Sequence, residues 1–134
     1  MIEEALVSML KNDGVLDSLI SGRVYAFVLW QGTDYPAITY QRISTARVLS
    51  HDQDAYGLTD TRFQINVYAE SYEAVRDVVE ALREAVQGYK GFFTLVSGSG
   101  VRIDAILPAG ERDVFEPEVG LYHSMIDYII SHEE

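Results

Sequence analysis

The sequence predicts an α+β fold, a two-layer sandwich in which a mainly antiparallel sheet carries two helices on one face, in the order α-β-β-β-α-β-β. Two patterns carry this. Residues 62–69 alternate strictly, with Phe63, Ile65, Val67 and Ala69 on one side and Gln64, Asn66 and Tyr68 on the other, the period of a strand with one covered face. Directly afterwards, Val75, Val78, Val79, Leu82 and Val86 recur at helical spacing, as on a helix that lies on a core. Consecutive strand segments with short connections favour antiparallel pairing. At 134 residues and 48% apolar, the chain is long enough for one domain, spanning 1–134, with a core of its own.

Taken in order, Ile2, Leu6, Val7 and Leu10 share a helical face, and Asn12-Asp13-Gly14 ends that helix. Val15 to Ile20 reads as one or two further turns, ended by Ser21-Gly22. Val24 to Leu29 is β-rich, and residues 30–36 are a loop whose Pro36 opens the next strand. Ala37 to Ser44 alternates, with Ile38 and Tyr40 opposite Thr39 and Gln41. From Leu49 to Asp60 the periodicity dissolves around Gly57. Such a connection is longer than a hairpin needs; it is expected to be mobile in a free subunit and ordered in an assembly. Ser71 is placed to cap the second helix, with Glu73 in its first turn and Gly88 beyond its end. Residues 91–100 read as loop or hairpin, and Val101, Ile103, Ala105 and Leu107 as a strand. Pro108 to Gly120 reads as a charged loop, and Leu121 to Ser131 as a last long strand before a charged tail.

Much chemistry is absent. There is no Cys, which removes disulfides, thiolate catalysis and cysteine-ligated zinc. The acidic start, Met1-Ile2-Glu3-Glu4, is unlike a secretory leader, and no apolar run reaches membrane-spanning length. His51, His123 and His132 form no helical ligand pair. His123 is placed on the exposed side of the last strand. His51-Asp52-Gln53-Asp54 lacks the glycine turn and distal Glu of a calcium loop. Gly98-Ser99-Gly100 precedes a strand, so it is not a nucleophile elbow. Glu116 and Glu118 flank Pro117, which marks a rigid turn rather than an acid–base pair. No catalytic residue, metal site or cofactor site emerges.

The formal charge is −11, the wrong sign for a free-standing nucleic-acid binder. An acidic wall does suit DNA that must slide past without sticking. Trp30, Tyr35, Tyr56, Tyr89, Phe92, Phe93 and Phe115 fall in or beside predicted loops, and Met125 and Ile129 face outward on the last strand. Aromatic residues in such numbers point to an oligomer interface.

Several stretches, in order, resemble a known family. Gly22-Arg23-Val24-Tyr25 follows the N-terminal helices. Pro36 leads into Tyr40-Gln41-Arg42-Ile43-Ser44. The strand 62–69 precedes Ser71-Tyr72-Glu73-Ala74. Glu111-Arg112-Asp113 leads to Phe115-Glu116-Pro117-Glu118-Val119-Gly120-Leu121-Tyr122. Together they resemble the tail-completion or tail-terminator proteins of siphophages and prophages. Phe115 stands where Tyr is usual and Tyr68 where Trp is usual. The resemblance implies a non-enzymatic virion protein at the head-proximal end of the tail. Its ring, typically of six copies, caps the tail tube and meets the head-completion protein, with DNA only passing through and no cofactor or membrane involved. Within that frame Glu111, Arg112, Asp113, Phe115, Glu116, Glu118 and Tyr122 are candidates for subunit or partner contacts, and Asp52, Asp54 and Asp60 for a channel-lining loop. The alternatives are a ferredoxin-like small-molecule-binding or regulatory domain, and an enzyme subunit whose site is built at an interface.

Overall fold

The computed structural model describes residues 2–29, 32, 34–48, 58–87, 91–94 and 100–133. Three helices, α1 (Ile2–Asn12), α2 (Gly14–Ile20) and α3 (Tyr72–Val86), accompany six strands: β1 (Val24–Ala26), β2 (Ala37–Val48), β3 (Leu58–Ala69), β4 (Gly91–Thr94), β5 (Gly100–Glu116) and β6 (Leu121–Glu133). The order is as expected, with α2 a helix in its own right and β4 contributed by the stretch read as loop or hairpin. Across the sheet the strands run β1-β2-β3-β6-β5-β4. Every pair is antiparallel except β1 with β2.

Local chemistry sets the helices. Ser71 is extended, and its hydroxyl accepts the Ala74 N–H at 3.2 Å, satisfying one of the donors left free at the start of α3. Asp13 plays the same part for α2, accepting the Leu16 N–H at 2.9 Å, so the stretch that ends α1 also starts α2. The valine and leucine stripe of α3 joins Phe63, Ile65 and Val67 of β3 in one buried cluster. Ile2, Leu6, Met9 and Leu10 of α1 and Leu16 and Ile20 of α2 complete it.

Four strands run further than their sequence pattern indicates, and the first of them is β2, which continues past Ser44 to Val48. β3 begins at Leu58, so Asp60 lies in a strand and not in a loop. There Thr59 and Thr61 occupy the buried, helix-facing positions, and threonines do not register in an apolar pattern. Residues 49–57 are outside the described residues. β5 continues through most of the stretch read as a charged loop, leaving only Pro117–Gly120 as the turn. β6 continues through His132, which is buried and pairs with the Thr61 hydroxyl at 2.8 Å. β1, by contrast, stops at Ala26, where Phe27 takes a φ of 66°. The second half of β5 escapes a hydrophobic reading because of what it faces. Glu111 and Asp113 lie towards α3 and meet arginines there, and Pro108 and Gly110 bracket a register shift against β6, a position where a strand accepts both residues.

Candidate assembly surfaces

The β5–β6 hairpin places the candidate contact residues on two faces. On the helix side, Glu111 Oε1 lies 3.2 Å from Arg76 Nη1 and Glu111 Oε2 lies 3.6 Å from Arg83 Nη2. Asp113 accepts from the Ser124 hydroxyl at 2.8 Å and from Tyr72 Oη at 3.1 Å. That bond, and the carboxylate charge beside it, hold the Tyr72 hydroxyl above its ordinary pKa. Glu111 and Asp113 thus lock the hairpin to α3, a role within the chain that their sequence context does not reveal. The ion pairs are partly solvated, so each contributes little alone; their geometry fixes where the hairpin points.

Phe115 stacks obliquely on Tyr122, with ring centroids 4.7 Å apart, and Tyr72 approaches Tyr122 at 6.0 Å. Together with Val75, Asp113, Val114 and His123 they line a shallow groove of about 200 Å³. Phe115 and Tyr72 are each 48% exposed, so this aromatic ledge is half open. Glu118 is exposed in the turn that follows.

The helix-free face carries a second network. His123 is buried, not exposed as its position in the strand pattern suggests. It stacks on Tyr68 at 4.2 Å, its Nε2 meets the Asn66 side chain at 2.9 Å, and its Nδ1 lies 3.3 Å from Glu116. Burial lowers its pKa, although the Glu116 carboxylate acts the other way. A neutral ring donates from one nitrogen only. With Nδ1–H directed at Glu116, Nε2 accepts from the Asn66 amide group, whose oxygen and nitrogen exchange by a half turn. Strand alternation alone marks His123 as outward. The available signal is Tyr68, whose ring can cover a cross-strand neighbour on a face without helices.

This burial has a consequence for stability. An unfolded His123 takes up its proton near its ordinary value of 6.5, while the folded one resists it. The unfolded state therefore binds more protons between the lowered value and 6.5, and stability falls as pH drops through that window. Denaturation midpoints at pH 7.5 and pH 5 should differ more for the native chain than for His123→Gln; equal differences would show that the ring is not the titrating group.

Asp60 also lies on the helix-free face, accepting from Ser131 Oγ at 2.5 Å. Asp52 and Asp54 fall outside the described residues. On the same face Arg62 binds Asp127 Oδ2 through both Nε (3.0 Å) and Nη2 (2.7 Å), beside an open hollow that Arg112 and Met125 also line. Arg112 Nη2 sits 3.5 Å from Met125 Sδ. Met125 and Ile129 are half-buried on this face. Among the described residues no three His, Asp or Glu side chains are grouped as a metal site, and no helix is long and apolar enough to cross a membrane.

No curated protein matches the sequence. Among solved structures, a chain from the virion of a native gene transfer agent particle shares the fold, with a TM-score of 0.76 at 16% identity, over 96% of this chain and 92% of that one. Residues 4–133 match the family described as Tail completion protein gp17. That match spans nearly all of the helical layer and every described strand, and the chain belongs to the tail completion protein family.

Proposed function

We propose that the chain is a structural virion subunit that closes into a ring, of six copies by its family resemblance, at the head-proximal end of a phage tail. There it caps the tube protein and receives the head-completion protein. The family match over residues 4–133 carries the reading. The disposition of polar groups supports a non-catalytic role. Glu111 and Asp113 are engaged by Arg76, Arg83 and Tyr72, and His123 by Asn66 and Glu116, so none of them stands free as the acid or base of a reaction.

Deleting the chain from a phage that encodes it is expected to leave filled heads and tails unjoined, and adding the purified protein should restore joined particles with a ring visible at the junction. Normal joining without it would overturn the reading. In the same frame Asp52, Asp54 and Asp60 contribute negative charge to the channel wall, and Glu118 and the Phe115–Tyr122 ledge meet a neighbouring protein. Changing Asp52 and Asp54 to Lys should leave rings intact but slow DNA ejection, and ejection at the native rate would remove them from the path.

A further inference from the structure

The two sides of the sheet are open over matching stretches. Among the described residues, β1 covers β2 only at Ile38–Tyr40, and β4 covers β5 only at Gly100–Ile103. The register shows where the remaining edges lie. Ser44 is opposite Arg62, Arg62 opposite Ile129, and Ile129 opposite Leu107. Gln41 leads in the same way through Gln64 and Asp127 to Gly110, and Ala46 through Asp60 and Ser131 to Ala105. Residues 41–46 on one side and 105–110 on the other are therefore left uncovered by the described strands, at one level of the sheet. β2 and β5 also run in opposite directions, since three antiparallel pairings separate them. A copy rotated about an axis along the strands sets its β2 antiparallel to this β5.

The chemistry of the two edges matches as well. The β5 stretch, Ala-Ile-Leu-Pro-Ala-Gly, has no charge, and Leu107 is 58% exposed. On the β2 side Ile43, at a register shift, is 45% exposed, and Phe27 and Val28 are 63% and 66% exposed. The Phe27 N–H donates to the Tyr40 carbonyl at 2.9 Å, which pins these residues at the start of the open edge. Phe27 holds its φ of 66° with its ring 63% exposed, an unfavourable backbone for an aromatic residue that leaves its side chain open to a partner. Among the described elements β2 is the one with a formally positive charge, with Arg42 and Arg47 and no acid. β5 has Arg102 and Arg112 against Asp104, Glu111, Asp113 and Glu116, a net of −2, and Glu118 follows in the turn. Arg42 reaches Glu3 at 2.9 Å, with both side chains more than two-fifths exposed, a pair weak enough to be exchanged for a better partner.

We propose that the free edge of β5 in one copy docks on the free edge of β2 in the next, head to tail, with Leu107 against Ile43 and the Phe27–Val28 pair. The inference rests on the ring reading and adds which surfaces close it. Two unlike patches on opposite sides of one subunit make a heterologous contact, the kind that yields rings. Pro108 and the register shifts on both edges interrupt a continuous backbone ladder, so side chains carry the contact and free subunits are kept from stacking edge to edge at random.

The absence of Cys makes a crosslinking test unambiguous. Particles are assembled with the double variant Ile43→Cys/Leu107→Cys, with each single variant, and with Val15→Cys/Leu107→Cys, whose first site is an exposed position on α2. After oxidation, the Ile43→Cys/Leu107→Cys chains should shift from the 15.0 kDa band into a ladder of its multiples, and the other variants should remain monomeric. Disulfide dimers from a single variant would mean that like edges meet, and would overturn the head-to-tail contact. Rings visible by imaging but without a ladder would overturn the edge contact and leave the ring reading standing. Particles that join normally without any ring would overturn both.

Discussion

Replacing Leu82 with Ala should lower the unfolding free energy by about 2–5 kcal/mol. Leu82 is fully buried in the middle of α3, in one cluster with Phe63, Ile65 and Val67 of β3 and Tyr128 of β6. Alanine is the better helix former, so propensity works against the loss and cannot produce it. What remains is the transfer of the leucine side chain and the cavity left between helix and sheet. A domain of this kind has about 5–15 kcal/mol in all, so the variant should be visibly closer to unfolding. Glu84 is exposed on the same helix, and Glu84→Ala should stay within about 0.5 kcal/mol of the native chain. Urea midpoints of the three proteins provide the measurement. Equal midpoints for both variants would mean that α3 does not pack on the sheet through its valine and leucine stripe.

That stripe is the part of the structure the sequence displays most openly, and the reason is physical. β3 and α3 each bury one face against the other, so each carries an uninterrupted apolar period. Where a strand is buried by polar contacts the period disappears. Thr61 and His132 sit on the core side of the sheet joined through hydroxyl and imidazole, with Thr59 buried beside them, and the start of β3 and the end of β6 read as loop and tail. The second half of β5 is harder still. Glu111 and Asp113 face α3 as though they were core residues, but their partners, Arg76 and Arg83, lie about thirty residues earlier, off the apolar stripe of that helix. Only the fold brings those two faces together.

The same distinction separates the candidate residues. The segment from Glu111 to Tyr122 stands out in the sequence as a unit, and it does form a unit, the hairpin end that α3 braces. Within it, Glu111 and Asp113 point to the brace, Phe115 lies on the same face half exposed against Tyr122, Glu116 points to His123, and Glu118 is exposed. Alternation on a strand gives the two faces, but not which of them a helix covers. The open edges of β2 and β5 are invisible to any local pattern, because an edge is a property of strand order. Asp60 shows the converse: its polar surroundings in the sequence suggest a loop, and its actual neighbour is Ser131, more than seventy residues away in the chain.

Leu107→Asp should abolish ring formation while leaving the subunit folded. Leu107 is 58% exposed on the free edge of β5, so the isolated subunit loses little, within about 0.5 kcal/mol. In the ring the new carboxylate would be pressed against Ile43 and Phe27, and stripping its water costs several kcal/mol per site, more than a partly solvated pair with the nearby Arg42 would return. The penalty recurs at every contact around the ring. Salt separates this effect from the general repulsion between subunits. Six copies carry a formal 6 × −11 = −66, and at about 0.15 M salt the Debye length of about 8 Å screens most of that long-range term. Native assembly should therefore improve as salt rises from low values. The defect of Leu107→Asp comes from lost hydration at a closed contact, which added salt does not restore. Leu107→Ala, which only removes apolar area, should assemble less well than the native chain but far better than the aspartate variant. Sedimentation of the three proteins with tail tubes at low and moderate salt would measure this. Rescue of Leu107→Asp by salt would assign its defect to repulsion and move the subunit contact away from the β5 edge.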